Sequence, residues 1–77
     1  MAIRVEQSIT IDNAEMMYAR LSGLARDSGQ ERVRFDLSDL TLIDSAGLAV
    51  FHRLQSELRI SGRSLEFIHV PDGIQQM

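Results

Sequence analysis

Cysteine is absent from the 77-residue chain, which excludes disulfides, thiolate metal sites and cysteine nucleophiles. Lysine is absent too. The eight basic residues are all arginine and are mixed with eleven acidic ones along the chain, for a formal net charge of -3. A nucleic-acid binder would gather a basic face, and a membrane-surface helix would be cationic, so the dispersed charge argues against both. No apolar run approaches the length of a membrane span, and the opening Met1-Ala2-Ile3-Arg4-Val5 lacks the long apolar stretch of a signal peptide. A cytoplasmic location without direct membrane insertion is the resulting expectation. Repeats, linkers and low-complexity tracts are also missing, so residues 1–77 read as a single domain.

Hydrophobic residues make up 44% of the chain and charged residues 25%, values of a folded globular domain rather than a disordered one. At this length the core is thin, and a partner or a homodimer would add stability. From Ile3 to Ile11 the pattern alternates: Ile3, Val5, Gln7, Ile9 and Ile11 share one face, which reads as a strand with Gln7 marking a bulge or kink. Asp12 then looks like a helix N-cap, with Glu15 completing a capping box. Ala14, Met17, Tyr18, Leu21, Leu24 and Ala25 form the apolar stripe of a helix running to about Asp27 and stopped by Ser28-Gly29. Val33, Phe35 and Leu37 alternate with polar residues in a second strand over 32–37, followed by a Ser38-Asp39 turn and an apolar stretch over 40–43. A second helix is expected from Ser45 to about Ile60, with Gly47, Val50, Phe51, Leu54 and Leu58 as its core stripe and Ser61-Gly62 as its stop. Residues 64–70 read as a third strand. Pro71-Asp72-Gly73 opens a last segment, 74–77, that would begin another helix. Alternating strands and helices of these lengths imply an α/β fold whose central sheet is mostly parallel, with about three to four strands and helices packed on it.

The segment that could carry function is residues 36–49. It takes a strand through a tight loop into a helix whose first residues are Ser45, Ala46 and Gly47. A helix N-terminus presents unpaired N–H groups and about half a positive charge, so it suits an anion or a phosphorylated hydroxyl. Phosphorylated Ser45 would carry roughly -1.5 to -2 charges near neutral pH, favoured by the helix and opposed by Asp44, Asp39 and Asp36. The blander reading stands beside it. A Ser or Asp before a helix is commonly an N-cap contributing about 1 kcal/mol, and Asp36 and Asp39 form turns readily. Leu48 lies off the helix's core stripe, which makes it a candidate partner contact next to Ser45. His52 and His69 have no metal-ligand spacing. A Ser–His–Asp triad could be drawn from Ser45, either histidine and an aspartate, but Gly-x-Ser-x-Gly is absent, as are Rossmann and P-loop fingerprints. No enzyme and no cofactor is expected.

The run over 36–47, with Asp36-Leu37-Ser38 at a strand end and Asp44-Ser45-Ala46-Gly47-Leu48 opening a helix, resembles the signature of STAS domains, the family of bacterial anti-sigma-factor antagonists. Ile9-Thr10-Ile11-Asp12-Asn13-Ala14, Gly62 and the Val70-Pro71 turn also fit. The resemblance implies a phosphoacceptor at Ser45, modified by a partner serine kinase that is itself an anti-sigma factor. In the resemblance Asp44 matches the acidic residue beside the acceptor and Asp36 a family aspartate at the end of the preceding strand; with Asp39, Ala46, Gly47 and Leu48 they make up the expected contact surface. Ala46 stands where a second serine is usual. Set against the family pattern, the chain is expected to lack an N-terminal strand and most of the last helix. Some STAS proteins instead support a transporter ATPase, as in phospholipid-transport complexes, and the sequence leaves that alternative open.

Overall fold

Val33 and Phe35 point one way and Arg32 and Arg34 the other, so the segment can only settle as a strand with one dry face and one wet face. The computed structural model, which describes residues 2–6 and 8–72, makes it the middle strand of three. The elements run β1 (Ala2–Arg4), α1 (Ala14–Ser28), β2 (Arg32–Asp36), α2 (Ser45–Ile60) and β3 (Ser64–Ile68). The sheet has the order β1-β2-β3 and is parallel throughout, with Ile3 opposite Phe35 and Phe35 opposite Phe67. Both crossovers step in the same direction, so crossovers of the usual right hand place both helices on one face of the sheet. Burial agrees: Val33, Phe35 and Leu65 are buried, whereas Arg32, Arg34 and Glu66 are exposed. Parallel sheets are commonly covered on both faces. Here the open face is made polar instead, with Arg32 and Arg34 at 3.7 Å and 3.9 Å from Glu66.

The core is one cluster centred on Phe35, which is fully buried between the helices and the sheet. The chain's three phenylalanines meet there, one each from β2, α2 and β3, with ring centroids 5.0 Å to 6.3 Å apart in tilted or edge-on pairs. The two helices are also tied by polar contacts. The Tyr18 hydroxyl donates to Glu57, while Arg53 lies 4.0 Å from the Tyr18 ring centre and 3.5 Å from Glu57. That hydrogen bond is the main reason the Tyr18 phenol is raised above its ordinary pKa. At the opposite end, Arg63 donates to the carbonyls of Gln30 and Ala25, each at 2.7 Å, and so closes the C-terminus of α1. Gly29 ends α1 in the left-handed conformation, at φ 67°.

Much of the periodicity holds. The span of α2 and its buried stripe of Gly47, Val50, Phe51, Leu54 and Leu58 coincide with expectation. The first strand does not extend from Ile3 to Ile11. It pairs only as far as Val5, whose N–H donates to the Asp36 carbonyl, because β2 turns away after Asp36 and leaves no partner ladder. The chain touches the sheet once more, through an isolated parallel bridge between Ile9 and Ile43. Ile11 then falls in a turn and is 78% exposed. The capping box does not form either. The cap residue of α1 is Asn13, and its side chain serves the preceding loop, accepting from Thr10 N–H at 2.9 Å and donating to the Ser8 carbonyl at 2.7 Å. Leu24 is exposed because the buried row follows Met17, Leu21 and Ala25. The third strand stops at Ile68, since His69 adopts φ 55° and turns the chain. Gln7 and the expected start of a further helix over 74–77 lie outside the described residues.

These assignments separate two apolar residues that the alternating pattern treats alike. Phe35→Ala should cost about 3–5 kcal/mol in urea unfolding, whereas Ile11→Ser should stay within about 0.5 kcal/mol of the parent.

Candidate functional site

The loop joining β2 to α2 is built by short-range polar bonds. The Asp36 carboxylate accepts from the Ser38 N–H at 3.0 Å, an Asx turn, and this bond is the leading cause of its lowered pKa. Leu40 donates to the Leu37 carbonyl at 3.0 Å and buries its side chain, pinning the loop to the core. Asp39 stays exposed and pairs with Arg4 at 3.6 Å. Asp36 and Asp39 thus stand at the strand end of the loop, tied to Ser38 and Arg4 respectively.

Asp44 stands at the helix end. One carboxylate oxygen accepts from the Gly47 N–H at 3.1 Å, capping α2, and the other accepts from the Ile11 N–H at 3.0 Å. Those two backbone donors, Gly47 first, hold the Asp44 carboxyl below the usual carboxylate range. The backbone repeats the connection, as the Asp44 N–H donates to the Ile9 carbonyl at 3.3 Å. Asp44 therefore fastens the segment around Ile9–Ile11 onto the start of α2, a junction between positions 33 residues apart.

Gly47 completes that junction by having no side chain. A Cβ there would lie 2.5 Å from the Ile9 carbonyl oxygen and 2.5 Å from Ile43 Cγ1, nearer than real Cβ contacts come. Gly47, expected both in the core stripe of the helix and on a contact surface, is buried beneath the loop, where it lets the Ile9–Ile43 bridge close over the helix.

Ser45 is the first helical residue and is exposed, and its hydroxyl makes no hydrogen bond to the described residues. Among the described residues neither histidine hydrogen-bonds to it. Leu48, one turn further on, is 40% exposed as its off-stripe position implied. Ala46 is half-buried and faces a shallow groove shared with Ala14, Tyr18 and Arg53. On the other flank of α2 a larger groove of about 570 Å³ opens between the helix and the end of β3. Ser45, Leu48, His52 and Gln55 form its helical wall, and Phe67 and Val70 face them. The structure thus joins Asp44, Ser45 and Leu48 in one place and adds features the sequence reading missed. Ile11 had been assigned to the core, and nothing in the linear pattern signals the groove. Leu42, also exposed, accepts through its carbonyl from Ile9 N–H in the same junction.

Among the described residues no group of histidines, cysteines and carboxylates could hold a metal ion, and no helix is long and apolar enough to cross a membrane. The arrangement offers a free hydroxyl at a helix N-terminus, beside an exposed leucine and an apolar groove. It can accept a modifying group or a protein surface.

A family model described as Mlab, STAS domain matches residues 1–77. No curated protein matches the chain. Among solved structures, the crystal structure of Mglu is similar over 92% of this chain with a TM-score of 0.70 and 22% sequence identity. The chain spans 17% of that protein's length, so this likeness concerns the fold alone.

Two outcomes test the junction. Gly→Ala inside an exposed helix should stabilise by up to about 1 kcal/mol, but Gly47→Ala should destabilise by about 1–3 kcal/mol or more in chemical unfolding, because the added methyl meets backbone. Asp44 has a folded-state pKa below its unfolded value, so its contribution is fully present above about pH 3.9 and lost as pH falls through the folded value. The stability advantage of the parent over Asp44→Asn in pH-dependent thermal unfolding should therefore be flat near neutrality and shrink only under acid.

Proposed function

This chain belongs to the STAS domain family, and we propose that it is a non-enzymatic protein-interaction module of the anti-sigma-factor antagonist kind, switched by a partner serine kinase that phosphorylates Ser45. The observation that carries this reading is the state of Ser45: exposed, without a hydrogen bond to the described residues, and first in its helix, beside the exposed Leu48. A kinase needs such a hydroxyl, since a buried or bonded one would first have to be released. In the transfer, Ser45 Oγ bonds to the γ-phosphorus of ATP, ADP leaves, and the hydroxyl proton passes to a base of the kinase. The product places roughly -1.5 to -2 charges and three acceptor oxygens at that point. Asp44 is already ionised one residue away, and its oxygens are committed to Gly47 and Ile11. The new charge therefore faces outward into the partner surface, where removal from water makes it costly. Release of the partner follows without a change of fold. A cytoplasmic location goes with this reading, because the kinase it requires draws on ATP.

A second reading is favoured by the apolar surface at the same point. Leu42, Leu48 and the groove offer a contact that needs no change of charge. In that case the chain is a constitutive regulatory subunit, as of a transporter ATPase in a phospholipid-transport complex, and Ser45 is only a contact.

Incubation with ATP and the kinase encoded beside the chain's own gene, followed by mass spectrometry, should find phosphate on Ser45. Ser45→Asp should weaken partner binding about tenfold or more, while Ser45→Ala binds like the parent. An unlabelled Ser45, together with parental binding by Ser45→Asp, would refute the switch and leave the constitutive subunit.

A further inference from the structure

Strand carboxyl ends and helix amino ends meet at one end of a parallel α/β fold, and in this chain that end is acidic. Six of the eleven acidic residues stand there, Glu6, Asp12, Glu15, Asp36, Asp39 and Asp44, against Arg4 alone of the eight arginines. Arg4 is paired with Asp39, and Asp44 is committed to its two backbone donors. Asp12 and Glu15 make no ion pair among the described residues. Negative charge therefore stands free on the turn that leads into α1.

That turn also carries Ile11. Its backbone is held at three points: Ile11 N–H donates to the Asp44 carboxylate at 3.0 Å, Asn13 N–H to the Thr10 carbonyl at 3.1 Å, and Thr10 N–H to the Asn13 side chain at 2.9 Å. The Ile11 side chain is 78% exposed, so the core makes little use of it. Single exposed aliphatics are common and carry no meaning by themselves. Turns, however, favour Gly, Pro, Asn, Asp and Ser, and a β-branched side chain adds nothing to one. Beside Ile11 lies the shallow groove between the two helices, of about 440 Å³, whose walls come from α1 and α2 alone. Ala14, Tyr18, Ala46, Ala49 and Val50 make it apolar, Glu15 stands on its α1 wall, and Arg53 is engaged by Tyr18 and Glu57. Ile11 precedes Ala14 by three residues and is bonded to Asp44, two residues before Ala46, which puts it at the groove's upper end.

We propose that Ile11 is an anchor of the surface that docks the protein partner, entering an apolar socket whose border carries arginine or lysine. This rests on the reading that a serine kinase binds at the start of α2, and it extends that surface across Asp44 to the turn before α1. A side chain on a backbone already fixed docks with little further loss of freedom, and a few such buried anchors dominate an interface. Asp12 and Glu15 supply the charge that matches the partner's basic border and speeds the encounter. Asp44 joins the two halves, because the carboxylate that caps α2 beside Ser45 also fixes Ile11. Serine and anchor are thus presented in one rigid frame.

The test uses the full chain and the serine kinase encoded beside its gene, with binding followed by surface plasmon resonance and Ser45 phosphate by mass spectrometry. Ile11→Ser should unfold in urea like the parent and bind the kinase about tenfold more weakly, the scale of a lost interface anchor. Asp12→Asn combined with Glu15→Gln should slow association about threefold or more and flatten its dependence on salt. Leu24→Ser, at another exposed aliphatic of α1, should leave binding unchanged. Parental binding by Ile11→Ser, an equal loss in Leu24→Ser, or a parent that does not bind the kinase would overturn the proposal. So would a parent that sediments as a dimer beside a monomeric Ile11→Ser chain, which would give this surface to a second copy. The anchor and the switch fail separately. Ser45 labelled while Ile11→Ser binds like the parent sinks the anchor alone, and Ser45 unlabelled while Ile11→Ser has lost binding sinks the switch alone.

Discussion

The carbonyl of Ile9 passes so near the first turn of α2 that position 47 has no room for a methyl group. That close approach organises the whole acidic end of the molecule. It lets Ile9 bridge to Ile43, which in turn sets Asp44 where one carboxylate can hold both the Gly47 and the Ile11 N–H groups. With these donors taken by Asp44, Ser45 is left as the next residue, presented to solvent without a hydrogen bond to the described residues. A serine in the Asp44 position would have served as the cap, and its hydroxyl would have been spent on the helix. The division of labour between a capping aspartate and a free serine is what gives the helix start a reactive group at all.

The same junction limits how a phosphate at Ser45 could act. Asp44 has a depressed pKa because two backbone donors stabilise its charge, so it remains ionised across physiological pH. A phosphoryl group beside it adds to an existing negative point rather than creating one. Its consequence lies at the surface, where it meets the exposed Leu48 and the groove mouth. The Tyr18–Glu57–Arg53 contacts between the helices lie further along α2 and do not involve Ser45, whereas Phe51 and Phe67 of the aromatic cluster line the same groove as Ser45.

The open sheet face shows how so small a domain manages a one-sided core. With both helices on one side, the second face must tolerate water, and alternating arginine with glutamate across neighbouring strands does this. Two arginines share one glutamate at 3.7 Å and 3.9 Å, in the exposed setting where such pairs contribute little energy. Their value is solubility and strand register rather than stability. The exposed large apolar side chains among the described residues are spread over α1 (Met16 and Leu24), α2 (Leu48 and Ile60) and the loops near the start of α2 (Ile11 and Leu42).

Helix α2 was legible in full from its residues, and so was the middle strand, because a regular period averages over many positions and local stop signals such as Gly62 mark the ends. Ser45, Asp44 and Leu48 were legible as a group for the same reason: their roles follow from position relative to one helix start. Ile11 and Asp12 were misread. Ile11 continued an alternating pattern, yet alternation makes a strand only where a neighbour offers a ladder, and β2 turns away at Asp36. Asp12 was expected to cap α1, but Asn13 takes that position, with its side chain bonded to Thr10 and Ser8 in the preceding loop. The sequence by itself determined the order of elements, the side of each that is dry, and the serine at the helix start, all properties of neighbouring residues. Only the tertiary structure decided that the Ile9 carbonyl closes over Gly47, that Asp44 holds Ile11, and that a groove flanks Ser45, because each depends on contacts between separate elements whose approach is set by packing rather than by local pattern.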